Sequence, residues 1–145
     1  MGHAKSVKMK IDVVGEKPSY ANEYSAGLDI VALEPILIQK GNVEEVTTLM
    51  RVEIPKGYFG MIVIRSSLGY NHQITLVNNV GIIDEDYRGN IGIKLTNNGD
   101  KDYQIEKGDR VAQMIIIPYI QPQLEFVDKL SRTERGTGGF GSTGR

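Results

Sequence analysis

From Val7 to Ile117 the chain is a succession of short runs rich in Val, Ile and Tyr, each closed within a few residues by a turn signal. No window of about 11 residues carries helical periodicity. Residues 7–13 alternate apolar and polar, the period-two pattern of a half-buried strand. Further strands are predicted over 28–33, 36–38, 43–54, 58–64, 74–77, 91–96, 103–105 and 111–117. Between them stand Glu34-Pro35, Lys40-Gly41-Asn42, Pro55-Lys56-Gly57, Asn97-Asn98-Gly99-Asp100 and Glu106-Lys107-Gly108-Asp109. Many short strands at this spacing predict an all-β sandwich, barrel or jelly roll. The only helix expected is a single turn near 67–72.

A chain of 145 residues suffices for one domain with a core of its own. It contains no cysteine, which excludes disulfides, thiolate zinc sites and thiol nucleophiles, and only His3 and His72 offer imidazole. A formal net charge of -1 argues against a nucleic-acid partner, whose footprint is clustered Lys and Arg. Apolar runs such as 114–117 are far too short to span a bilayer, and no membrane partner is expected. The absence of a targeting pattern points to the cytoplasm by default, with a nuclear or viral setting open. Gly2 followed by Ser6 fits the loose N-myristoylation pattern, yet His3 and Lys5 read equally well as a cloning remnant.

The densest chemistry lies at residues 78–92, expected to form a strand, a tight turn and a second strand. Val80, Ile82 and Ile83 favour a strand, and Asp84, Glu85, Asp86, Tyr87 and Arg88 sit together on the turn. Four other segments carry chemistry. Residues 60–69 end a strand in Arg65-Ser66-Ser67, a fork of donors and two hydroxyls suited to phosphate oxygens. Residues 25–30 place Asp29 inside a strand, where it could hold a metal-bound water or cap a turn. Residues 107–114 put Gln113 among apolar neighbours, where its amide must satisfy backbone groups or reach a ligand. After Leu130 the chain becomes a polar tail with five glycines between 136 and 144, the composition of a flexible terminus, yet it carries Phe140. Its glycines could wrap phosphates, although it lacks the Gly-Lys-Ser/Thr ending and the following helix of a Walker A loop.

These five segments, in this order, resemble the five motifs of the trimeric deoxyuridine triphosphatases (dUTPases): residues 26–30, 60–69, 80–92, 108–114 and 135–144. The resemblance implies an all-β, jelly-roll-like subunit with little helix. It implies one β domain over 1–130 and a mobile Gly-rich C-terminal arm over 131–145 that closes over an active site. It also implies a homotrimer whose three sites each draw on all three chains. The implied reaction is hydrolysis of dUTP to dUMP and pyrophosphate by water attack on the α-phosphorus, with Mg²⁺ as cofactor.

Asp84 matches the family's general base, whereas Asp86 and Arg88 are expected to pin the turn. Tyr87 matches the ring beneath deoxyribose. Uracil would be read by the backbone around Gly81 and Ile83 together with Asn78, with Phe140 stacked on the base. Arg65, Ser66 and Gln113 match phosphate contacts, and Ser67, where many relatives have glycine, adds its backbone N–H. Arg135 and Ser142 match γ-phosphate contacts, and Asp29 matches a carboxylate that meets Mg²⁺ through its water shell. Thr143 and Arg145 have no assigned role. The competing readings are a dCTP deaminase or bifunctional deaminase and dUTPase, which carries a different sequence in place of Asp84-Glu85-Asp86-Tyr87, and a nucleotide-controlled regulatory protein on the same scaffold. A generic all-β carbohydrate or lipid binder leaves these polar residues without a purpose.

Overall fold

The computed structural model describes residues 7–144. The lipidation pattern at Gly2 and Ser6, His3 and Arg145 lie outside the described residues. The elements in chain order are β1 (Lys10–Val13), β2 (Ser19–Tyr20), β3 (Leu28–Val31), β4 (Ile36–Ile38), β5 (Val43–Val46), β6 (Met50–Glu53), β7 (Tyr58–Ile64), α1 (Ser66–His72), β8 (Ile74–Leu76), β9 (Gly81–Ile83), β10 (Ile93–Asn97), β11 (Tyr103–Ile105) and β12 (Arg110–Pro118).

Among the described residues all strand pairings are antiparallel. The largest sheet has the order β2-β3-β12-β7-β9; a second has β5-β10-β8; and two-stranded ribbons join β1 to β6 and β11 to β4. Apart from β2 and β3, neighbours in a sheet are not consecutive in the chain. β12, for example, lies between β3 and β7, with Gln113 opposite both Asp29 and Val63.

One core lies between these sheets. Alternation decides which residues enter it: β6 buries Met50 and Val52 and exposes Arg51 and Glu53, and β10 buries Ile93 and Leu95 while Lys94 faces out. Ile30, Ile38, Ile74, Ile91, Ile105 and Met114 fill the centre, each such side chain contributing ~1.5–3 kcal/mol by leaving water. β12 departs from alternation where Val111 and Ala112 are both buried, because a register shift between Arg110 and Ala112 turns the strand. Asn97, fully buried, is satisfied: its amide donates to the Ile38 carbonyl at 2.9 Å and the Lys101 carbonyl at 2.8 Å, and its oxygen accepts the Gly99 N–H at 2.9 Å. That closes the turn into β11.

Three expectations change. The run 43–54 is two strands, broken between Val46 and Met50, where the buried Thr48 hydroxyl donates to the Ile91 carbonyl at 2.8 Å and Leu49 takes φ 46°. The helical turn near 67–72 extends to the seven residues of α1 and ends at Gln73 with φ 53°. Most consequentially, residues 78–92 do not form a hairpin of two paired strands. β9 pairs with β7, whereas β10 pairs with β5 and β8 in another sheet. Residues 84–92 are the passage between sheets, ending where the Ile91 N–H donates to the Met50 carbonyl at 2.7 Å.

Beyond β12 the chain leaves the sheets. Residues 119–144 contain no strand, and Ile120, Leu124, Phe126, Leu130 and Phe140 are all exposed.

Candidate active site

The site residues fall at the two ends of β7 and in the C-terminal arm. At the far end of β7, Arg65 precedes α1 and stands beside Asp29 of β3, its Nε 3.6 Å from Oδ1. Arg110, at the start of β12, reaches the other carboxylate oxygen at 3.8 Å, so one buried carboxylate holds two guanidinium groups. Arg65 also donates to the Arg110 carbonyl at 3.4 Å. Ser66 and Ser67 are exposed in the first turn of α1, where backbone N–H groups have no partner within the helix. Gln113 is half-buried next to this group, and only a glycine at 27 leaves room for its side chain. A cleft of about 160 Å³ opens here between Arg65, Tyr103, Asp109 and Arg110. Burial raises the Tyr103 hydroxyl above its ordinary pKa, assisted by Asp109 and opposed by Arg65.

At the near end, β9 runs antiparallel to β7 with Ile83 opposite Gly60, so Asp84 follows directly at the level of Phe59. The passage is held by its own backbone. The Tyr87 N–H donates to the Asp84 carbonyl at 3.1 Å, and Arg88 donates to the Glu85 carbonyl at 2.7 Å and the Tyr87 carbonyl at 3.3 Å, while its Nε lies 3.8 Å from Glu53. Arg88 therefore pins the turn as expected. Asp86 makes no hydrogen bond or ion pair to a described residue and instead lines, with Phe59, Ile82, Asp84 and Tyr119, a cavity of about 740 Å³. The Tyr87 hydroxyl donates to the Asn90 carbonyl at 2.9 Å, which fixes its half-exposed ring, and any side chain at Gly89 would collide with it. On the other side of β9, the Asn78 amide lies 3.6 Å from where a Cβ at Gly81 would be, so Asn78 and Gly81 face the same small space. Asn79 bends the chain there with φ 60°.

Glu85 ties this turn outward. Its Oε1 accepts the Gly57 N–H at 3.3 Å and the Tyr119 hydroxyl. The hydroxyl bond, then the Gly57 bond, holds the Glu85 carboxyl below its usual range, and the same carboxylate raises the Tyr119 hydroxyl.

In the arm, successive turns bring Arg135, Gly138 and Ser142 together. Arg135 Nε donates to the Gly138 carbonyl at 2.6 Å, the Gly138 N–H returns to the Arg135 carbonyl at 3.1 Å, and the Ser142 N–H donates to the Gly139 carbonyl at 3.1 Å. Phe140, at φ 52°, projects into solvent.

Arg65 and Asp84 do not meet within the chain. Arg65 lies six residue steps beyond Phe59 along β7, a span of about 20 Å at ~3.3 Å per residue. Arg110, Glu85 and Tyr119 were not singled out by the sequence. Arg110 lies within residues 107–114, but its partner Asp29 is 81 residues away, and nothing local marks that pair.

The family model described as dUTPase matches residues 15–144. The deoxyuridine 5'-triphosphate nucleotidohydrolase of Alcanivorax borkumensis is 45% identical over 131 residues, covering 88% of this chain and 87% of that protein. Its counterpart in Anaeromyxobacter sp. is 40% identical, covering 96% of this chain and 99% of its own. Among solved structures, the dUTPase of Staphylococcus bacteriophage 80alpha with dUPNHPP superposes with a TM-score of 0.88 at 27% identity, covering 95% of this chain and 99% of that one. A point mutant of the dUTPase from phage phi11 of S. aureus, in which a structural Mg(II) ion is coordinated, superposes with a TM-score of 0.77 at 25% identity, covering 85% and 98%. The family model spans all five segments, and full-length relatives agree with the fold: the chain belongs to the dUTPase family.

Proposed function

We propose that this member of the dUTPase family hydrolyses dUTP to dUMP and pyrophosphate in active sites assembled between copies of the chain, by attack of water on the α-phosphorus with Asp84 as general base. The separation of Asp84 from Arg65 along β7 carries the composite-site reading. A triphosphate held at Arg65 lies far from the Asp84 of the same chain, so a second copy must supply the base. A closed homotrimer, with the arm over 131–145 closing on a neighbour as a lid over the body at 1–130, satisfies this need.

A carboxylate hydrogen-bonded to the attacking water orients it and takes its proton, contributing ~10²- to 10⁴-fold. Asp84 suits the role because its side chain is exposed and accepts no hydrogen bond from a described residue, leaving its oxygens for water. Arg65, Ser66, Gln113 and the Ser67 N–H receive phosphate oxygens, and Arg135 and Ser142 reach the γ-phosphate when the arm closes. The Tyr87 ring supports deoxyribose and leaves no room for a 2′-hydroxyl. Asn78 and the backbone at Gly81 and Ile83 read the uracil edge. Cytosine reverses donor and acceptor at its 4-position, which costs ~10⁴ or more in a site built for uracil, while the thymine methyl is rejected by only ~10- to 200-fold. Phe140 stacks on the base for ~1–3 kcal/mol.

Among the described residues no cluster of three or more Asp, Glu or His is placed to hold a metal. The donor set fits an ion that arrives on the substrate: both Asp29 oxygens lie beyond hydrogen-bonding distance of their arginines and can still accept from metal-bound water. When bound, Mg²⁺ would neutralise phosphate charge.

The test is product identification with Mg²⁺ and, separately, dUTP, dCTP, dTTP and UTP. Release of dUMP and pyrophosphate from dUTP alone agrees with this reading. Ammonia from dCTP would replace it with the deaminase, and binding of dUTP without turnover would replace it with a regulatory role.

A further inference from the structure

Asp84 owes its direction entirely to the backbone that carries it, since its own side chain accepts no hydrogen bond from a described residue. The hydrogen bonds inside the turn are local, three residues or fewer apart. They fix its shape without fixing its placement on the sheet. The pairing of β9 with β7 places its start, and beyond that pairing the side chain nearest to Asp84 that reaches another segment is that of its neighbour Glu85.

Around Glu85 three segments close on one another. The Gly57 N–H and the Tyr119 hydroxyl both donate to the same carboxylate oxygen. The Tyr119 N–H in turn donates to the Gly57 carbonyl at 3.2 Å. Gly57 aims both of its backbone groups this way at φ 87°, a conformation that side chains resist. The Tyr119 ring meets Phe59 edge-on, with centroids 6.3 Å apart and planes at 70°, so the hydroxyl is delivered by a ring that is itself packed. Phe59 is the β7 residue at the level of Asp84, and Tyr119 is the first residue after β12, where the chain leaves the sheet.

We propose that Glu85 and Tyr119 are positioning residues for the general base: with the Gly57 amide they lock the turn bearing Asp84 to the start of β7 and the end of β12. The inference rests on Asp84 as the base. In this role the pair acts through Asp84. It acts by holding the Asp84 backbone where the carboxylate faces the attacking water, and a displacement of about 1 Å there can cost ~10²-fold in rate.

The test is steady-state kinetics on the full-length assembled protein with dUTP and Mg²⁺, with thermal melting in parallel. Tyr119→Phe keeps the ring contact and removes the hydroxyl; it should lower kcat about tenfold with KM within about twofold. Glu85→Ala should lower kcat at least as far, and combining the two should cost no more than Glu85→Ala alone, because the residues act as one unit. Glu85→Gln retains an acceptor oxygen for both donors and should restore most of kcat. A lowered melting temperature with kcat unchanged in Tyr119→Phe and Glu85→Ala would reduce the pair to a structural staple and overturn the proposal, as would losses that simply add. Asp84→Asn belongs in the same series. Near-normal turnover there removes the base and the proposal with it, whereas a dead Asp84→Asn beside a fully active Tyr119→Phe removes the positioning role alone.

Discussion

The two ends of β7 differ in charge, burial and the way they are held. The Arg65 end is cationic and enclosed: Arg65 and Arg110 share the buried Asp29, and the half-buried Gln113 stands beside them. The Asp84 end is anionic, with Asp84, Glu85 and Asp86 in succession and both Asp84 and Asp86 exposed. A polyphosphate is attracted to the first and repelled by the second. On the proposed reading, the difference separates two tasks that one substrate needs together, holding the phosphates and activating water, about 20 Å apart along a strand of ~3.3 Å per residue. The arm is a third case. Its turns are closed by hydrogen bonds between near neighbours in the chain.

This contrast can be broken one side at a time. The largest effect is expected at the anionic end, where Asp84→Asn should retain dUTP binding, measured by calorimetry, and lose at least ~10²-fold in turnover. Near-normal turnover would place water activation elsewhere. Deleting residues 134–145 removes Arg135, Phe140 and Ser142 together. Stacking alone is worth ~1–3 kcal/mol, so kcat/KM should fall at least ~5- to 150-fold while the size and melting of the assembled body persist. An active truncated protein would strip the arm of its role.

The smallest effect is a pH dependence of stability. The Glu85 carboxyl is lowered by the Tyr119 hydroxyl, then by the Gly57 N–H and Lys56; burial opposes them. Its contribution is therefore present above the ordinary carboxylate value of 4.5 and lost as pH falls below it. Tyr119, raised by Glu85 and further by burial and the charges of Asp84 and Asp86, contributes below 10.0 and loses that contribution as pH rises through its elevated value. Melting temperatures of wild type and Tyr119→Phe should differ by a constant amount between these limits and converge outside them.

Much of the fold could be read from local pattern. Alternation at Ile93, Leu95 and Asn97, and turn signals such as Pro55-Lys56-Gly57, place strands to within a few residues of where they lie. Pairing could not be read so. Ile83 and Ile93 look like the two arms of one hairpin because both are β-formers flanking a charged turn, yet they join different sheets. The break at Thr48 and Leu49 was hidden for a related reason: no glycine or proline marks it, and the hydrogen bond that holds it is accepted by the distant Ile91 carbonyl. Ser19–Tyr20 is too short to show a period at all. In the site, residues carried by motifs were legible, and those defined by a distant partner were not. Arg110 depends on Asp29, and Tyr119 on Glu85.

The most direct test of the composite site is complementation between its two ends. Asp84→Asn and Arg65→Ala are purified separately, each inactive, then unfolded together and refolded as a mixture. Sites that draw Asp84 from one chain and Arg65 from another regain both intact residues in about one site in four for random assembly of a symmetric oligomer. The mixture should therefore release pyrophosphate from dUTP far above either parent. A mixture as inactive as its components would contradict the account, because it would mean that Asp84 and Arg65 serve the same substrate from within one chain.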